Sequence, residues 1–263
     1  MGTVKQATLA VGGLSNTSKM PCKSWGISAK ECKTGSKLAK IEGTICNGCY
    51  ALKGAYVWPV VERAHARRLE LINTSSWSDN MVTAINNAPF FRWFDSGDLQ
   101  NAEHLEDIVR VALATPNTKH WLPTHEKKFV SDYIRKCGSF PDNLIVRVSA
   151  ANVDGAPPKG FKLTSTSHKH GEPIGQECIA YKQDNECRDC RACWDTEVQN
   201  ISYKNHWENK AMKADYYIVN LLDRTQPEEG WFQSDIDGTH DQCYAQVRAL
   251  SLDLHFDIQI VEA

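Results

Sequence analysis

The sequence predicts an α/β fold: a partial (β/α) barrel with mostly parallel strands and cysteine-rich metal-binding loops. Three observations lead there. Apolar, strand-like runs alternate with helical periodicity between Phe90 and Val148, and a β-α-β-α-β order gives parallel strands joined by right-handed crossovers. Polar residues gather just after each of those runs. Ten cysteines are present, most of them in two stretches with few apolar residues of their own.

The 263 residues allow one large domain with a sizeable core. We expect one α/β domain over 1–263. It would carry a first cysteine loop at 15–54, a second cysteine-cluster insertion at 164–205 and a C-terminal extension with a strand at 224–263. The net charge of −2 gives no general attraction to nucleic acid or to an anionic membrane. No apolar run is long enough to cross a bilayer, and the first residues offer no signal-peptide core. A cytoplasmic location follows. There thiols stay reduced, and clustered cysteines serve metal binding or catalysis.

Taken in order, Ala7 to Val11 reads as a short first strand before Gly12-Gly13. Val57, Val60, Val61, Ala64 and Leu71 mark a helix, with Arg63, Arg67 and Arg68 on its solvated face and Pro59 in its first turn. Ser78 caps a second helix. Phe90 to Phe94, Lys119 to Leu122 and Leu144 to Val148 read as strands. Helices marked by Leu105, Ile108, Val109 and Ala112, and by Val130, Tyr133, Ile134 and Cys137, separate them. From Asn152 to Gly175 the composition is that of a long excursion, so His168 and His170 read as exposed loop residues more than as ligands. Tyr216 to Leu222 is a buried strand, Thr225 to Asp241 an acidic loop, and the alternation from Leu250 to Ile260 an edge strand with one wet face.

In parallel α/β folds the ligand site lies at the carboxyl ends of the strands. Asp95, Ser96, Gly97 and Asp98 follow one strand, Thr124 and His125 the next, and Ser149 the third. Each alone is an ordinary cap or turn residue. Their coincidence over three strands makes them candidates for a substrate or cofactor site. No catalytic residue is assigned.

Cys187, Cys190 and Cys193 form a C-x2-C-x2-C run, with Cys178 a short loop upstream. A structural zinc is usually held by two separated pairs, whereas evenly spaced thiolates suit the corners of an iron–sulfur cube. We therefore expect Cys178, Cys187, Cys190 and Cys193 to hold one [4Fe–4S] cluster. Cys46 and Cys49 form a C-x2-C knuckle, with Cys32 and Cys22 further upstream. If all four bind, the site is closed, and zinc would serve as well. If only Cys32, Cys46 and Cys49 bind a cube, one iron is open to a substrate or to S-adenosylmethionine. The two groups sharing one metal is a further alternative. Cys137 and Cys243 read as core thiols.

The segments Cys46-Asn47-Gly48-Cys49-Tyr50, Phe91-Arg92-Trp93-Phe94-Asp95-Ser96-Gly97-Asp98-Leu99, Trp121-Leu122-Pro123-Thr124, Arg147-Val148-Ser149-Ala150 and Cys187-Arg188-Asp189-Cys190-Arg191-Ala192-Cys193-Trp194-Asp195 resemble, in order, the phage "gene product 88" family. The resemblance implies an origin in phages and related mobile elements more than a reaction. A looser resemblance, on the cluster loop and on Ser96-Gly97-Asp98, is to radical S-adenosylmethionine enzymes. It implies a partial barrel and a cluster loop after the first strand. This chain has no C-x3-C-x2-C run, and Tyr50 follows the last cysteine of its loop instead of preceding it.

The expected function is that of a phage-encoded iron–sulfur protein with one or two [4Fe–4S] clusters. If an enzyme, it is a radical S-adenosylmethionine-like oxidoreductase or transferase on an unknown small-molecule or macromolecular substrate, fed by an electron donor. The alternative is a non-catalytic, zinc-stabilised binding module for a host or phage partner. Its contact surface would be Trp194, Trp207 and Trp231, although core packing is the more ordinary role for those rings. No strong nucleic-acid signal is present.

Overall fold

The computed structural model describes residues 2–205, 217–223, 232–238 and 256–262, with side chains as far as Asn205. The chain divides into two compact units. One comprises Met1–Cys49 and Arg63–His206; the other comprises Tyr50–Glu62 and Trp207–Ala263.

The first unit is built on a seven-stranded sheet. Its strands are β1 (Ser24–Trp25), β2 (Phe90–Trp93), β3 (Lys119–Thr124), β4 (Leu144–Val153), β5 (Thr164–His168), β6 (Gln176–Cys178) and β7 (Asn200–Lys204), in the order β1-β2-β3-β4-β5-β7-β6. Every neighbouring pair is parallel. The helices of this unit are α1 (Val4–Ala10), α2 (Lys33–Leu38), α3 (Pro59–Leu71, whose first residues fall in the other unit), α4 (Trp77–Ile85), α5 (Ala102–Ala114) and α6 (Lys127–Cys137). From β2 to β4 the order steps in one direction, so crossovers of one hand lay α5 and α6 on the same face. The sheet is α/β and parallel, as expected, and it ends at β1 and β6 without closing.

Alternation along the strands divides the two faces. Phe91, Trp93, Leu122, Leu144, Val146 and Val148 enter the main core beside Met81, Ile85, Leu105, Ile108, Val109 and Val130 from the helices. Trp25, Trp77 and Phe94 pack edge-on around His104, and Trp93 packs on Trp25 and Trp77, with ring centroids 5.2–6.4 Å apart. On the opposite face Trp121 and Phe90 meet Met20 and Trp194.

The second unit contains a three-stranded antiparallel sheet in the order β10-β8-β9, with β8 Tyr217–Asp223, β9 Phe232–Gly238 and β10 Phe256–Glu262. The strand expected over Tyr216 to Leu222 is present, and the expected terminal strand lies at an edge. The part of that alternation over 250–255, like Cys243, Trp207 and Trp231, lies outside the described residues.

Several local expectations need correction. Ala7 to Ala10 belongs to helix α1, with Val11 as its C-cap, and not to a strand; Thr3 and Gln6 form a reciprocal capping box at its start, which competes successfully with the short apolar run. Helix α4 is preceded by Ser76, and Ser78 lies inside it with its hydroxyl donating to Asp107 (3.1 Å). The supposed excursion after Asn152 contains β5, and the insertion expected at 164–205 supplies β5, β6 and β7. All five residues of Thr164–His168 are buried, yet none is apolar, so the pattern was invisible to periodicity. Cross-strand hydrogen bonds replace apolar contact: Thr164 to Asn200 (2.7 Å), Asn200 to Thr166 (2.9 Å) and His168 Nδ1 with Ser202 Oγ (2.8 Å). His168 is thus a buried strand residue, not an exposed one. The stretch read as an acidic loop contains β9. Cys137 is exposed, because it ends α6 on the solvent side. Arg68 is buried, donating to Gly12 O, Ser15 Oγ and Gly26 O at 3.1 Å each, so the triplet Arg63, Arg67 and Arg68 is not one wet face.

Two predictions concern this scaffold. Gly97 has φ of 79°, and a Cβ there would lie 2.5 Å from Ile27 Cγ1 and 2.6 Å from its carbonyl oxygen. Gly97→Ala should lower stability by about 1–3 kcal/mol, read as a lower urea midpoint at an unchanged slope. His104 is buried without hydrogen-bonded ring nitrogens, and burial lowers its pKa to about 3. Unfolding lets it take up a proton below pH ~6.5, so stability should fall by as much as about 1.4 kcal/mol per pH unit from there toward the folded pKa. His104→Phe should flatten that acid slope in urea titrations between pH 6.5 and 4.

Candidate functional site

Strand β1 decides how the cysteines are shared out. Its parallel pairing with β2 matches Ser24 to Arg92 and Trp25 to Trp93. Cys22 precedes this strand and Cys32 follows it, so the two thiols leave its opposite ends.

After β1 the chain crosses the carboxyl edge of the sheet. Ile27 N donates to Ser96 O (3.1 Å), Ile45 N to Ala151 O (2.8 Å) and Val153 N to Gly43 O (2.9 Å). The close approach of the first turn to the second needs two glycines. A Cβ on Gly26 would fall 2.4 Å from Ser96 O, and Gly97 meets Ile27 as described above. Thr34 is held by both oxygens of Glu126, its amide at 2.8 Å and its hydroxyl at 2.9 Å. These ties bring Cys32, Cys46 and Cys49 together over the ends of β2, β3 and β4. A Cβ on Gly35 would lie 3.5 Å from Cys32 Sγ and 3.6 Å from Cys46 Sγ, so the missing side chain keeps the space between the two sulfurs open. Burial pushes the Cys46 thiol up to about 12, and Cys32 is raised further, by burial first and then by Asp98, Cys49, Cys46 and Glu126.

Asp98 is the junction of the first two strand ends. It accepts Thr124 Oγ1 (2.6 Å), His125 N (2.8 Å) and Leu99 N (2.8 Å), while Thr124 Oγ1 accepts Glu126 N (2.9 Å). Burial pushes its pKa up to about 7 against the pull of those three donors. Phe94, at φ 54°, turns the chain sharply after β2. Asp95 and Ser96 are buried in that turn, and Asp95 lies within charge range of Arg68. His125 is half-buried; burial lowers its pKa to about 4. Ser149 sits on β4 and bonds Ser165 of β5 (3.0 Å). Of the residues expected at this site, the structure joins Asp98, Thr124 and His125 beside the cysteine loop. Gly97 and Ser96 form the turn itself, and Ser149 takes part in a separate β4–β5 contact.

The second group lies against the sheet face opposite the main core. Cys178, Cys187, Cys190 and Cys193 line one pocket with Ala192 and Trp194. Cys22 joins them, against Met20, Trp121 and Trp194 together with Cys187 and Cys193. Lys19 O accepts Cys187 N (2.8 Å) beside it. Strand β1 thus carries Cys22 away from Cys32, Cys46 and Cys49 and sets it beside the other group. Burial pushes Cys22 and Cys193 up to about 12. Cys193 Sγ stands 3.4 Å from Tyr203 OH. Arg147, on β4 and fully buried, gathers the loop: it donates to Cys193 O (3.2 Å), Ala192 O (3.0 Å), Asp195 O (2.7 Å) and Val198 O (2.7 Å). Trp194 is buried and donates to Phe91 O (2.9 Å), so it is a core residue and not part of an exposed contact surface.

Among the described residues, no three His, Cys, Asp or Glu side chains converge on one point as they stand to hold a metal ion. The downstream sulfurs are spread around the wall of their pocket.

The sequence reading passed over Thr34, Glu126, Arg92, Arg147 and Tyr203. Arg147 had a usable signal: a guanidinium within the apolar run Leu144-Ile145-Val146-Arg147-Val148 is a charge committed to burial, and buried charges need dedicated partners. Thr34 and Glu126 had none, because 92 positions separate them.

The sequence profile of the Gene product 88 family matches residues 2–172. The chain belongs to this family. The match spans α1, the upstream cysteines, the junction at Asp98 and strands β1 to β5, and stops short of Cys178. No curated protein and no solved structure matched this Gene product 88 family member. No helix among its described residues is long and apolar enough to cross a membrane.

The partition can be tested directly. In metal-free, reduced protein, a short bis-maleimide should link the peptide bearing Cys22 to those bearing Cys187 or Cys193. Mass spectrometry finding links from Cys22 to Cys32, Cys46 or Cys49 instead would overturn the assignment.

Proposed function

We propose that this Gene product 88 family member is an iron–sulfur protein with two centres, acting as a radical S-adenosylmethionine-like redox enzyme on a substrate yet to be named. The observation that carries the reading is the division of the thiols, with Cys32, Cys46 and Cys49 at the carboxyl edge of the sheet and Cys22, Cys178, Cys187, Cys190 and Cys193 on its far face. Three thiolates leave one iron of a cube without a protein ligand, and the strand ends are where parallel α/β folds place substrates. Two features of the donor sets support the fit. Gly35 leaves room between Cys32 and Cys46, and Cys178, Cys187, Cys190 and Cys193 surround a single pocket. A lone zinc needs its sulfurs about 3.8 Å apart, from bonds of about 2.3 Å in a tetrahedron. A cube takes each thiolate on a different iron and so accepts a wider ring.

When bound, such a cluster supplies one-electron transfer and, where an iron lacks a thiolate, a coordination position. The chain's own residues do the rest. Cys32, Cys46 and Cys49 bind; Glu126 fixes Thr34 and with it the start of α2; Asp98 locks the ends of β2 and β3 so that His125 keeps its place at the edge. Buried thiols whose pKa is raised stay protonated until a metal displaces the proton, so loading should release protons and strengthen toward alkaline pH.

Anaerobic reconstitution with iron and sulfide should give brown protein with about eight irons per chain, two cubes' worth. Cys46→Ala with Cys49→Ala should remove about half, and Cys187→Ala with Cys193→Ala the other half. The reduced, loaded protein mixed with S-adenosylmethionine should release 5′-deoxyadenosine. Full iron without that product would leave an electron carrier and end the enzymatic part. Colourless protein with stoichiometric zinc would overturn the iron–sulfur reading and favour the zinc-stabilised binding module.

A further inference from the structure

Away from the cysteines, the sheet gathers one more group of reactive side chains. Its register sets Thr166 of β5 level with Ser202 of β7, and Ser202 level with Glu177 of β6. Residues level with one another share a face of the sheet, and His168, two positions beyond Thr166, shares it too. On this face β4 still presents Val148 to the main core, level with Thr164. From β5 onward the row is polar throughout.

The row has two parts. Asn200 closes the first: it accepts Thr164 Oγ1 (2.7 Å) and donates to Thr166 Oγ1 (2.9 Å) and Ile174 O (2.6 Å). An amide therefore satisfies buried hydroxyls here with no ionisable group. The second part is built differently. His168 Nδ1 lies 2.8 Å from Ser202 Oγ, and its Nε2 lies 3.5 Å from Glu177 Oε1. Glu177 is held in turn by Tyr181 OH (2.7 Å) and Lys182 Nζ (3.5 Å). A carboxylate beside Nε2 favours the tautomer protonated there, which leaves Nδ1 to accept the Ser202 hydroxyl proton. Hydroxyl, imidazole and carboxylate then stand in the order that activates a serine nucleophile, with a loose contact to the acid that is common in unliganded sites.

Ser202 and His168 are buried, and both line an open cavity of about 210 Å³ together with Thr166, Asp154 and Glu172. Asp154 is fixed there by the amides of Lys169 (2.8 Å), His170 (3.2 Å) and Gly171 (3.1 Å). Two carboxylates on the wall repel anions, and the size of the cavity admits only a small group.

We propose that Ser202, His168 and Glu177 form a hydrolytic site for small, uncharged or cationic carboxylic esters, separate from the cysteine groups and independent of any metal they hold. Ser202 Oγ attacks the carbonyl carbon while its proton passes to His168 Nδ1. The bond to the alcohol oxygen breaks, and the alcohol leaves with that proton. Water, deprotonated by the same nitrogen, then releases the acid and restores Ser202. Glu177 touches no reacting atom; it is a positioning residue that holds the ring and its tautomer.

The test uses full-length, reduced protein of known iron content and a small dialkyl fluorophosphonate. Ser202 Oγ should displace fluoride from phosphorus, and mass spectrometry should find the adduct on the peptide bearing Ser202. Ser202→Ala should abolish it. His168→Gln keeps a hydrogen-bonding group but no base, and should slow labelling by about 100-fold or more. Glu177→Gln should lower the maximal labelling rate and leave the half-saturating concentration unchanged; should His168→Gln fail to fold, this variant carries the same test. The wild-type protein should also hydrolyse p-nitrophenyl acetate at a rate that Ser202→Ala removes. No adduct on Ser202, equal labelling in the His168 and Glu177 variants at an unchanged urea midpoint, or ester hydrolysis untouched by Ser202→Ala would overturn the proposal. Iron content decides the iron–sulfur reading separately, so either can fail without the other.

Discussion

The arrangement of this protein depends on one short pairing, the two residues of β1 set parallel against β2. It is small in itself, yet it fixes Trp25 within an aromatic core around His104, and its indole donates to Val11 O (2.8 Å). Because the strand enters from one side and leaves from the other, residues ten positions apart are delivered to different surroundings. Backbone polar groups must be satisfied wherever the chain is buried, and this pairing satisfies them while dividing two thiols that the sequence places near each other.

Each cysteine segment is then held largely by polar contacts with the sheet, beside the few apolar residues, such as Met20 and Trp194, that it buries against Trp121. At the carboxyl edge the work falls to backbone bonds from Ile27, Ile45 and Val153, to glycines that permit near contact, and to the carboxylates of Asp98 and Glu126. On the far face a single guanidinium collects four carbonyls of the loop that ends the second cysteine run. Both solutions leave sulfur atoms at the surface of a rigid sheet, which is the setting a preorganised site requires.

Much of the scaffold was legible beforehand. The strands at Phe90, Lys119 and Leu144, with the helices between them, follow from apolar periodicity, and their parallel pairing follows from the order of elements. Strand β5 was not legible, since Thr-Ser-Thr-Ser-His is buried through cross-strand hydrogen bonds and offers no apolar signal. Helix α1 was misjudged because a five-residue apolar run fits either period, and the capping box decided it. At the candidate site, Asp98, Thr124 and His125 were found by their place after strands. Glu126 acts through a partner 92 positions away, and such a contact leaves no local trace, whereas the charge set in the apolar run around Arg147 was a usable sign of burial.

The sequence by itself determined the class of fold, the identity of the thiol-bearing segments and the compactness of the C-x2-C-x2-C run, because these are properties of neighbouring residues. Only the tertiary structure decided which thiols stand together, and that Cys22 belongs with Cys187 and Cys193. The physical reason is that strand pairing sets proximity in space independently of distance along the chain.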